Sequence, residues 1–289
     1  MDNDPLSTIF LDLNNLLVSF SGGKTSAYMA KLLLDSYDYN FKFVFANTGL
    51  ESEETLDFID KCDMAFDLNL VWLEAVVNPA HGKGITHKHI DYSSASRDGT
   101  PFEQFIAKSG IPNRNKPQCS DRLKASVIES YKKEIGWKGC LHAIGIRSDE
   151  SKRKSKNSAL VYNICYPLCD WLPADKQDVE SFWEEQDFTL ELEDHEGNCQ
   201  TCWKKSDKKL FLLALEHPER FEFMRSMEAN YSSVKPNSNG VPRVFFRGNR
   251  SVDDLISAAQ EFTPSTLRNM IGASRDNNSG CSESCEAYS

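Results

Sequence analysis

The sequence predicts an α/β fold in which a Rossmann-like parallel sheet is flanked by helices and followed by a helical C-terminal region. Three observations predict it. Short apolar runs of strand length alternate with segments of helical periodicity through the first half of the chain. The first of these runs ends in a glycine pair that turns straight into a helix. After about residue 166, helix and turn segments dominate.

The elements follow in order. Residues 14–20 (Asn-Asn-Leu-Leu-Val-Ser-Phe) read as a buried strand, and 25–35, with Ala27, Met29, Ala30, Leu32, Leu33 and Leu34, as a helix. A second strand at 41–46 ends at Asn47-Thr48-Gly49. A helix over 53–64 follows, with Glu51, Glu53 and Glu54 suited to its positive end. A third strand covers 68–75, and such alternation implies right-handed crossovers. Residues 78–116, rich in Gly, Ser, Asn and Pro, read as an excursion over the active face. Helix returns at 120–134 and a short strand at 141–146, while the polar, basic stretch 147–160 reads as a mobile loop. The organisation expected is a nucleotide-binding α/β domain at 1–170, a mainly helical region at 171–272 and a Cys-containing tail at 273–289.

The chain has 289 residues, 40% of them hydrophobic and 26% charged, ordinary values for a packed globular core. A net charge of −10 argues against a generally basic, nucleic-acid-coating surface, though not against a local patch such as Lys204, Lys205, Lys208 and Lys209. No apolar run reaches the roughly 18–20 residues of a membrane span. Met1-Asp2-Asn3-Asp4 lacks the basic start of a secretory signal, so a cytoplasmic location is expected. Nine cysteines, an odd number, do not suggest a disulfide framework in that setting. Cys62, Cys140 and Cys165 sit in apolar contexts and read as small core residues.

A strand, then Ser19-Phe20-Ser21-Gly22-Gly23-Lys24-Thr25-Ser26, then a helix is a physical recipe for gripping pyrophosphate. Glycines let backbone N–H groups approach an anion, the helix start adds its positive end, and Lys24 adds a full charge. Ser21, Thr25 and Ser26 add hydroxyls. The conventional P-loop spacing fails, because its first glycine would fall on Val18. The stretch instead resembles the loop of the PP-loop ATP pyrophosphatases, the adenine nucleotide alpha hydrolase-like fold. Within that superfamily the chain resembles the phosphoadenosine phosphosulfate reductase branch, phage-encoded relatives included, over about residues 16–205.

Further blocks fit the resemblance. Asn47-Thr48-Gly49 with Glu54-Thr55 resembles the family's Asp-Thr-Gly…Glu-Thr block, with Asn47 replacing the acidic residue. Gly145-Ile146-Arg147 with Ser151 and Arg153 resembles its Gly-x-Arg…Ser-x-x-Arg block, in which Arg147 and Arg153 would clamp phosphate or sulfate oxygens bidentately. The following Lys152-Arg153-Lys154 run reads equally as a solvated loop or a nucleic-acid contact. Tyr166-Pro167-Leu168-Cys169-Asp170-Trp171 with Asp178-Val179 matches a family segment of structural character.

Cys119, beside Arg122 and Lys124 at a helix start, is expected to favour thiolate. With Cys199-Gln200-Thr201-Cys202 some eighty positions later, it resembles the iron–sulfur-bearing adenylyl-sulfate reductases, one cysteine short because Gln118 precedes Cys119. Three readings stay open. The trio holds a [4Fe–4S] cluster with an open iron or a fourth ligand from Cys281 or Cys285, it binds structural zinc, or it is a reducible pair plus an unrelated thiol. The tail cysteines do not match the C-terminal nucleophile motif of the reductases. His81, His87 and His89 read as solvated or substrate-contacting, since His87-x-His89 has no evident third metal ligand, and Arg247 or Arg250 as able to reach a phosphate.

The resemblance implies an enzyme that binds ATP with Mg²⁺ and cleaves it at the α-phosphate to adenylate an acceptor. Lys24, Arg147 and Cys119 would be catalytic, and sulfur transfer with a sulfur donor protein would follow. Adenylyl-sulfate or phosphoadenylyl-sulfate reduction is the alternative, disfavoured by the intact loop. A nucleotide-binding protein without turnover, in phage–host conflict or a DNA-modification assembly, is a third. A nucleic-acid acceptor is compatible with the lysine patch.

Overall fold

The computed structural model describes residues 14–273 apart from Asp194, Asn198, Ser238 and Asn239. Its first half is built around a six-stranded sheet: β1 (Asn15–Ser19), β2 (Asn40–Asn47), β3 (Val71–Val77), β4 (Ile85–Ile90), β5 (Leu141–Ala143) and β6 (Ile164–Cys165). The order across the sheet is β4-β3-β2-β1-β5-β6. All neighbours are parallel except β3 and β4. The chain thus winds outward from β1 through β2 and β3, then returns to place β5 on the other side of β1. That reversal creates a crevice beyond the C-terminal ends of β1 and β5, where such sheets bind ligands.

The alternation of side chains along each strand separates two cores. Leu16, Val18, Phe43, Phe45 and Trp72 face α1 (Lys24–Ser36), α2 (Glu53–Phe66) and α7 (Lys176–Glu184). Leu17, Val44, Ala46, Leu73 and Ala75 face α3 (Thr100–Ser109), α4 (Ser126–Glu134) and the later helices α8 (Asp207–Glu216), α9 (Glu222–Tyr231), α10 (Val252–Ala259) and α11 (Pro264–Ala273). Because both faces are covered, the central strands read as continuous apolar runs and were legible without their partners.

Two segments depart from the sequence reading. Residues 78–116 contain an antiparallel edge strand, β4, and the helix α3, so His87 and His89 lie on a strand and not on a loop. An edge strand has one neighbour and little burial, which leaves it polar and without a strong apolar period. The stretch 147–160 is also ordered: a 3₁₀ segment Ser148–Arg153 and the helix α5 (Lys156–Tyr162), capped by the Ser155 hydroxyl accepting from the Ser158 N–H. The Tyr166-Pro167-Leu168 block forms the single-turn helix α6 (Pro167–Asp170), with Leu168 fully buried.

Helix α7 ties the second core to the first turn of α1. Trp183 packs on Phe58 with ring centroids 4.9 Å apart, and its indole Nε1–H donates to the Lys24 carbonyl at 3.1 Å. Phe58 is 1% exposed and also meets Phe188. Truncating Phe58 to Ala is expected to cost about 3–5 kcal/mol in a urea titration, the range for a large buried aromatic.

A candidate nucleotide site beside a cysteine-lined pocket

The chain leaves β1 through Phe20 and enters α1 with Gly23 at the N-cap. Gly22 has φ +84°, and a Cβ there would lie 2.7 Å from Thr55 Cγ2 and 2.9 Å from Ile59 Cδ1. Only glycine fits that position, because the loop folds directly onto α2. Ser26 fixes the loop from inside. Its Oγ accepts from the Ser21 N–H and Ser21 Oγ–H, both at 3.0 Å, and donates to the Gly23 carbonyl at 2.9 Å. The hydroxyls of Ser21 and Ser26, expected from sequence at the rim, therefore shape the loop first. Ser19 lies beneath it, bonded through Oγ to His142 Nε2 at 2.7 Å. Gly23 supplies no capping side chain, so the first amides of α1, which have no intrahelical acceptor, suit an anion. Lys24 is half-buried at that end.

The segment after β5 approaches from the other side. A Cβ on Gly145 would stand 3.3 Å from Ser26 Cα. This close passage lays buried Arg147 against the loop, its Nη1 donating to Thr25 Oγ1 at 3.4 Å. Asp149 accepts from Arg147 Nε at 3.0 Å and Nη2 at 3.2 Å, which fixes the plane of the guanidinium. Glu150 stands 3.8 Å from Arg147 Nη2 and accepts from Arg153 Nη1 at 2.8 Å, linking the two arginines. Cys169 takes part: its Sγ–H donates to the carbonyls of Ile146 and Arg147 at 3.2 Å, and burial pushes the thiol pKa up. The family-like Tyr-Pro-Leu block thus buttresses the arginine.

The turn after β2 is organised by two buried carboxylates. Asn47 is fully buried; its amide donates to Glu74 Oε1 and to the Ser96 carbonyl, and its Oδ1 accepts from the Gly49 N–H. The side chain that replaces an acidic residue is therefore turned inward and shapes the Thr48–Gly49 turn. Glu51 accepts from the Thr48 N–H and Oγ1–H at 2.9 Å and from the Leu50 N–H at 3.2 Å, and it faces Lys124 Nζ at 3.8 Å. Glu51 also forms a backbone bridge to Cys199.

Cys119, Cys199 and Cys202, far apart in sequence, line one cavity with Thr48, Glu51, Lys124, Trp203 and Met224. Its volume is about 20 Å³, room for a water. Cys119 is the first residue of a helical run that passes through a π-turn, Asp121–Ala125, before α4. π-turns are often found at functional sites, and this one includes the buried Lys124. Among the described residues the three Sγ atoms do not all lie within 4.8 Å of one another. Thiolates around one tetrahedral zinc would sit about 3.8 Å apart. As placed, the three thiols are not gathered around one ion. Trp203 adds a buried Nε1–H without an acceptor among the described residues.

Other sequence expectations resolve differently. Arg250 Nη2 donates to Asp207 Oδ2 at 2.7 Å and Arg247 Nη2 to the Lys204 carbonyl at 2.9 Å, so both arginines bind the C-terminal helices and not the phosphate loop. The lysine patch does not form as drawn. Lys205 is 1% exposed and donates to the Gln200 carbonyl, while Lys204 Nζ reaches Ser120 Oγ at 3.5 Å. Cys62 and Cys140 are core residues, and Cys165 is half-buried with its pKa pushed up to about 12 by burial. Cys281 and Cys285 lie outside the described residues. Glu51, Lys124, His142 and Trp203 were missed as site residues. The sequence presents Glu51 and Lys124 only as helix-end and cysteine-side charges, and no local motif marks His142 or Trp203.

Two outcomes test this geometry. Gly22→Ala is expected to abolish nucleotide binding while leaving most secondary structure, as read by nucleotide titration and circular dichroism. His142, completely buried, has its pKa held well below the ordinary imidazole range by burial and then by Lys132. The unfolded chain therefore takes up a proton near pH 6.5 that the folded one refuses. Stability should be level above that pH and fall below it, and urea midpoints should fall less steeply between pH 6.5 and 5 in His142→Gln.

The sequence matches the phosphoadenosine phosphosulfate reductase domain over residues 15–189. It is 30% identical over 280 residues to an uncharacterized nin region protein of Escherichia phage lambda, covering 94% of each chain. An uncharacterized protein of Methanocaldococcus jannaschii is 28% identical over 164 residues, 54% of this chain and 33% of that protein. A crystal structure of phosphoadenylyl-sulfate reductase from Candida auris, a phosphate complex, overlays at a TM-score of 0.37 and 19% identity, covering 59% of this chain and 72% of that one. That overlay is too loose to inform the site. Among the described residues no helix is long and apolar enough to cross a membrane. The family match spans β1 to the end of α7, both arms of the crevice included, and the chain belongs to the phosphoadenosine phosphosulfate reductase domain family.

Proposed function

We propose that this chain binds ATP with Mg²⁺ at the loop after β1 and cleaves it between the α- and β-phosphates. An acceptor is adenylated, pyrophosphate leaves, and sulfur transfer follows at the cysteine pocket. The observation that carries the reading is a convergence at one end of the sheet. The glycine loop, the braced Arg147 and a pocket lined by three cysteines all stand there, and Thr48 of the β2 turn belongs to that pocket.

In the chemical step an acceptor oxygen attacks the α-phosphorus, and the electron pair of the α–β bridge departs with pyrophosphate. The loop amides and Lys24 hold the leaving pyrophosphate, and Mg²⁺, which needs few dedicated protein ligands, would supply further positive charge there. Arg147 offsets charge at the α-phosphate without reorganising, because Asp149 already fixes its plane. A sulfide-level sulfur brought by a donor protein then attacks the activated acceptor, and AMP leaves.

The cysteine pocket suits an iron–sulfur group in donor chemistry, with three thiols on one cavity and an indole N–H that has no acceptor among the described residues, but at about 20 Å³ the cavity would have to open to take a cluster. Cys119, Cys199 and Cys202 would hold a [4Fe–4S] cluster, whose open iron would offer a site for sulfur. Lys124, paired with Glu51, would place positive charge beside the thiolates. The family match keeps a second reading in view, reduction of adenylyl sulfate or phosphoadenylyl sulfate, with Cys119 as the half-buried thiol at the site.

ATP–pyrophosphate exchange decides between them. Lys24→Ala and Arg147→Ala are expected to lower exchange by about 10²–10³-fold, whereas Cys199→Ser should retain it and lose only sulfur transfer. Tight ATP binding without exchange, with sulfite released from a sulfonucleotide and a thiol reductant, would replace this reading by the reductase. ATP binding with neither activity would make the chain a nucleotide-binding protein. Anaerobic purification should give a brown protein with about four iron and four sulfide per chain; a colourless, iron-free product removes the cluster.

A further inference from the structure

At the opposite edge of the sheet from the β5 arm, β4 and α4 bring together three side chains that no part of the proposed reaction uses. His87 and His89, two positions apart, project from one face of the edge strand. Ser130 and Glu134, four apart, project from one face of α4. Both imidazoles aim at one carboxylate: His87 Nε2 lies 3.0 Å from Glu134 Oε2, and His89 Nε2 lies 2.9 Å from Glu134 Oε1. One ligand atom from each of the three lies within 4.8 Å of the others, and among the described residues no other trio of His, Cys, Asp or Glu does so. The ring of Tyr131 stands edge-on to both histidines, with centroids 5.8 and 5.6 Å away.

We propose that His87, His89 and Glu134 form a binding site for a borderline divalent transition cation, Zn²⁺ in the first instance. Two imidazole nitrogens and one carboxylate are a three-ligand set for that ion, whereas Mg²⁺ and Ca²⁺ require more oxygen donors. Ligands about 2.1 Å from a tetrahedral ion are separated by about 3.4 Å. The observed 2.9 and 3.0 Å contacts, each to a different oxygen of Glu134, lie within about half an ångström of that, and one ligand atom from each residue is already within 4.8 Å of the others. The outer partner that such a histidine requires is already in place, since His87 Nδ1 lies 2.9 Å from Ser130 Oγ. With the ion bound, Nδ1–H donates to that hydroxyl and Nε2 presents its lone pair to the metal. The His87 side chain is 6% exposed and gives the site a fixed wall. His89 and Glu134, each about half exposed, leave the fourth position to water.

The site shares no residue with the phosphate loop or the cysteine pocket. Its structural effect is to clamp the sheet edge to the last turn of the helical run that starts at Cys119. The sequence offered only His87-x-His89; Glu134 enters from forty-five residues away and supplies the missing ligand.

Cobalt(II) tests this in the full-length protein purified anaerobically and stripped with chelator, because its spectrum reports ligand type. One equivalent is expected to give visible d–d bands without a thiolate-to-cobalt charge-transfer band in the near ultraviolet, and Zn²⁺ should displace it. His89→Ala and Glu134→Gln, checked for folding by circular dichroism, should each weaken binding at least tenfold, and Cys199→Ser should leave it unchanged. Zn²⁺ at a hundredfold excess over Kd should raise Tm by about 5 °C, and Mg²⁺ should not. The proposal is overturned by thiolate charge transfer that survives His89→Ala and disappears in Cys199→Ser. It is equally overturned if wild-type protein binds no cobalt below millimolar concentration.

Discussion

The site depends on how closely the chain leaving β5 passes the start of α1. Gly145 runs so near Ser26 that a Cβ would stand 3.3 Å from its Cα and would need the loop to give by a few tenths of an ångström, and beneath this crossing the Ser19 hydroxyl is bonded to His142 across the β1–β5 pair. Parallel strands on either side of a topological reversal diverge at their ends, so a crevice forms there whatever the side chains. The glycine lets the two lips close enough for Arg147 to reach Thr25. A bulkier residue would push the arginine away from Thr25.

Around that crossing the polar groups are arranged in pairs that fix one another. Asp149 and Glu150 hold Arg147, Cys169 donates to the carbonyls on either side of the Ile146–Arg147 link, and Trp183 donates to the carbonyl of Lys24. On the other lip, Glu74 holds Asn47 and Glu51 holds Thr48. Buried carboxylates are costly unless so partnered, and each partner here belongs to a segment that borders the crevice. The supporting shell is thus much larger than the set of groups able to touch a nucleotide. Preorganised groups of this kind stabilise developing charge without first having to move.

The cysteine pocket and the edge histidines show two uses of long-range convergence. Cys119 starts a helical run whose far end carries Glu134, so one rigid element borders the thiol pocket and the His87–His89 pair. The π-turn between them sets how Lys124 meets Glu51, because its extra residue shifts the helix phase in mid-run. The sheet edge is also protected from pairing with another chain: β4 is short and polar, and Lys88 is paired with Glu74.

The sequence by itself determined the α/β class, the strands β1 to β3 and the loop at 21–26. Buried parallel strands and a glycine turn before a helix are local patterns whose physics does not need distant partners. It also marked Arg147 and the three cysteines as residues of interest. The tertiary structure alone decided which of these meet. It placed Ser26 inside the loop, turned Asn47 inward, sent Arg247 and Arg250 to the C-terminal helices and gave His87 and His89 a carboxylate partner. It also drew 85–90, within the 78–116 excursion, into an edge strand. Each of those outcomes rests on pairs tens of residues or more apart or on which way a buried side chain turns. Local periodicity carries no information about either, because register and crossover are settled only when the two cores close on the sheet.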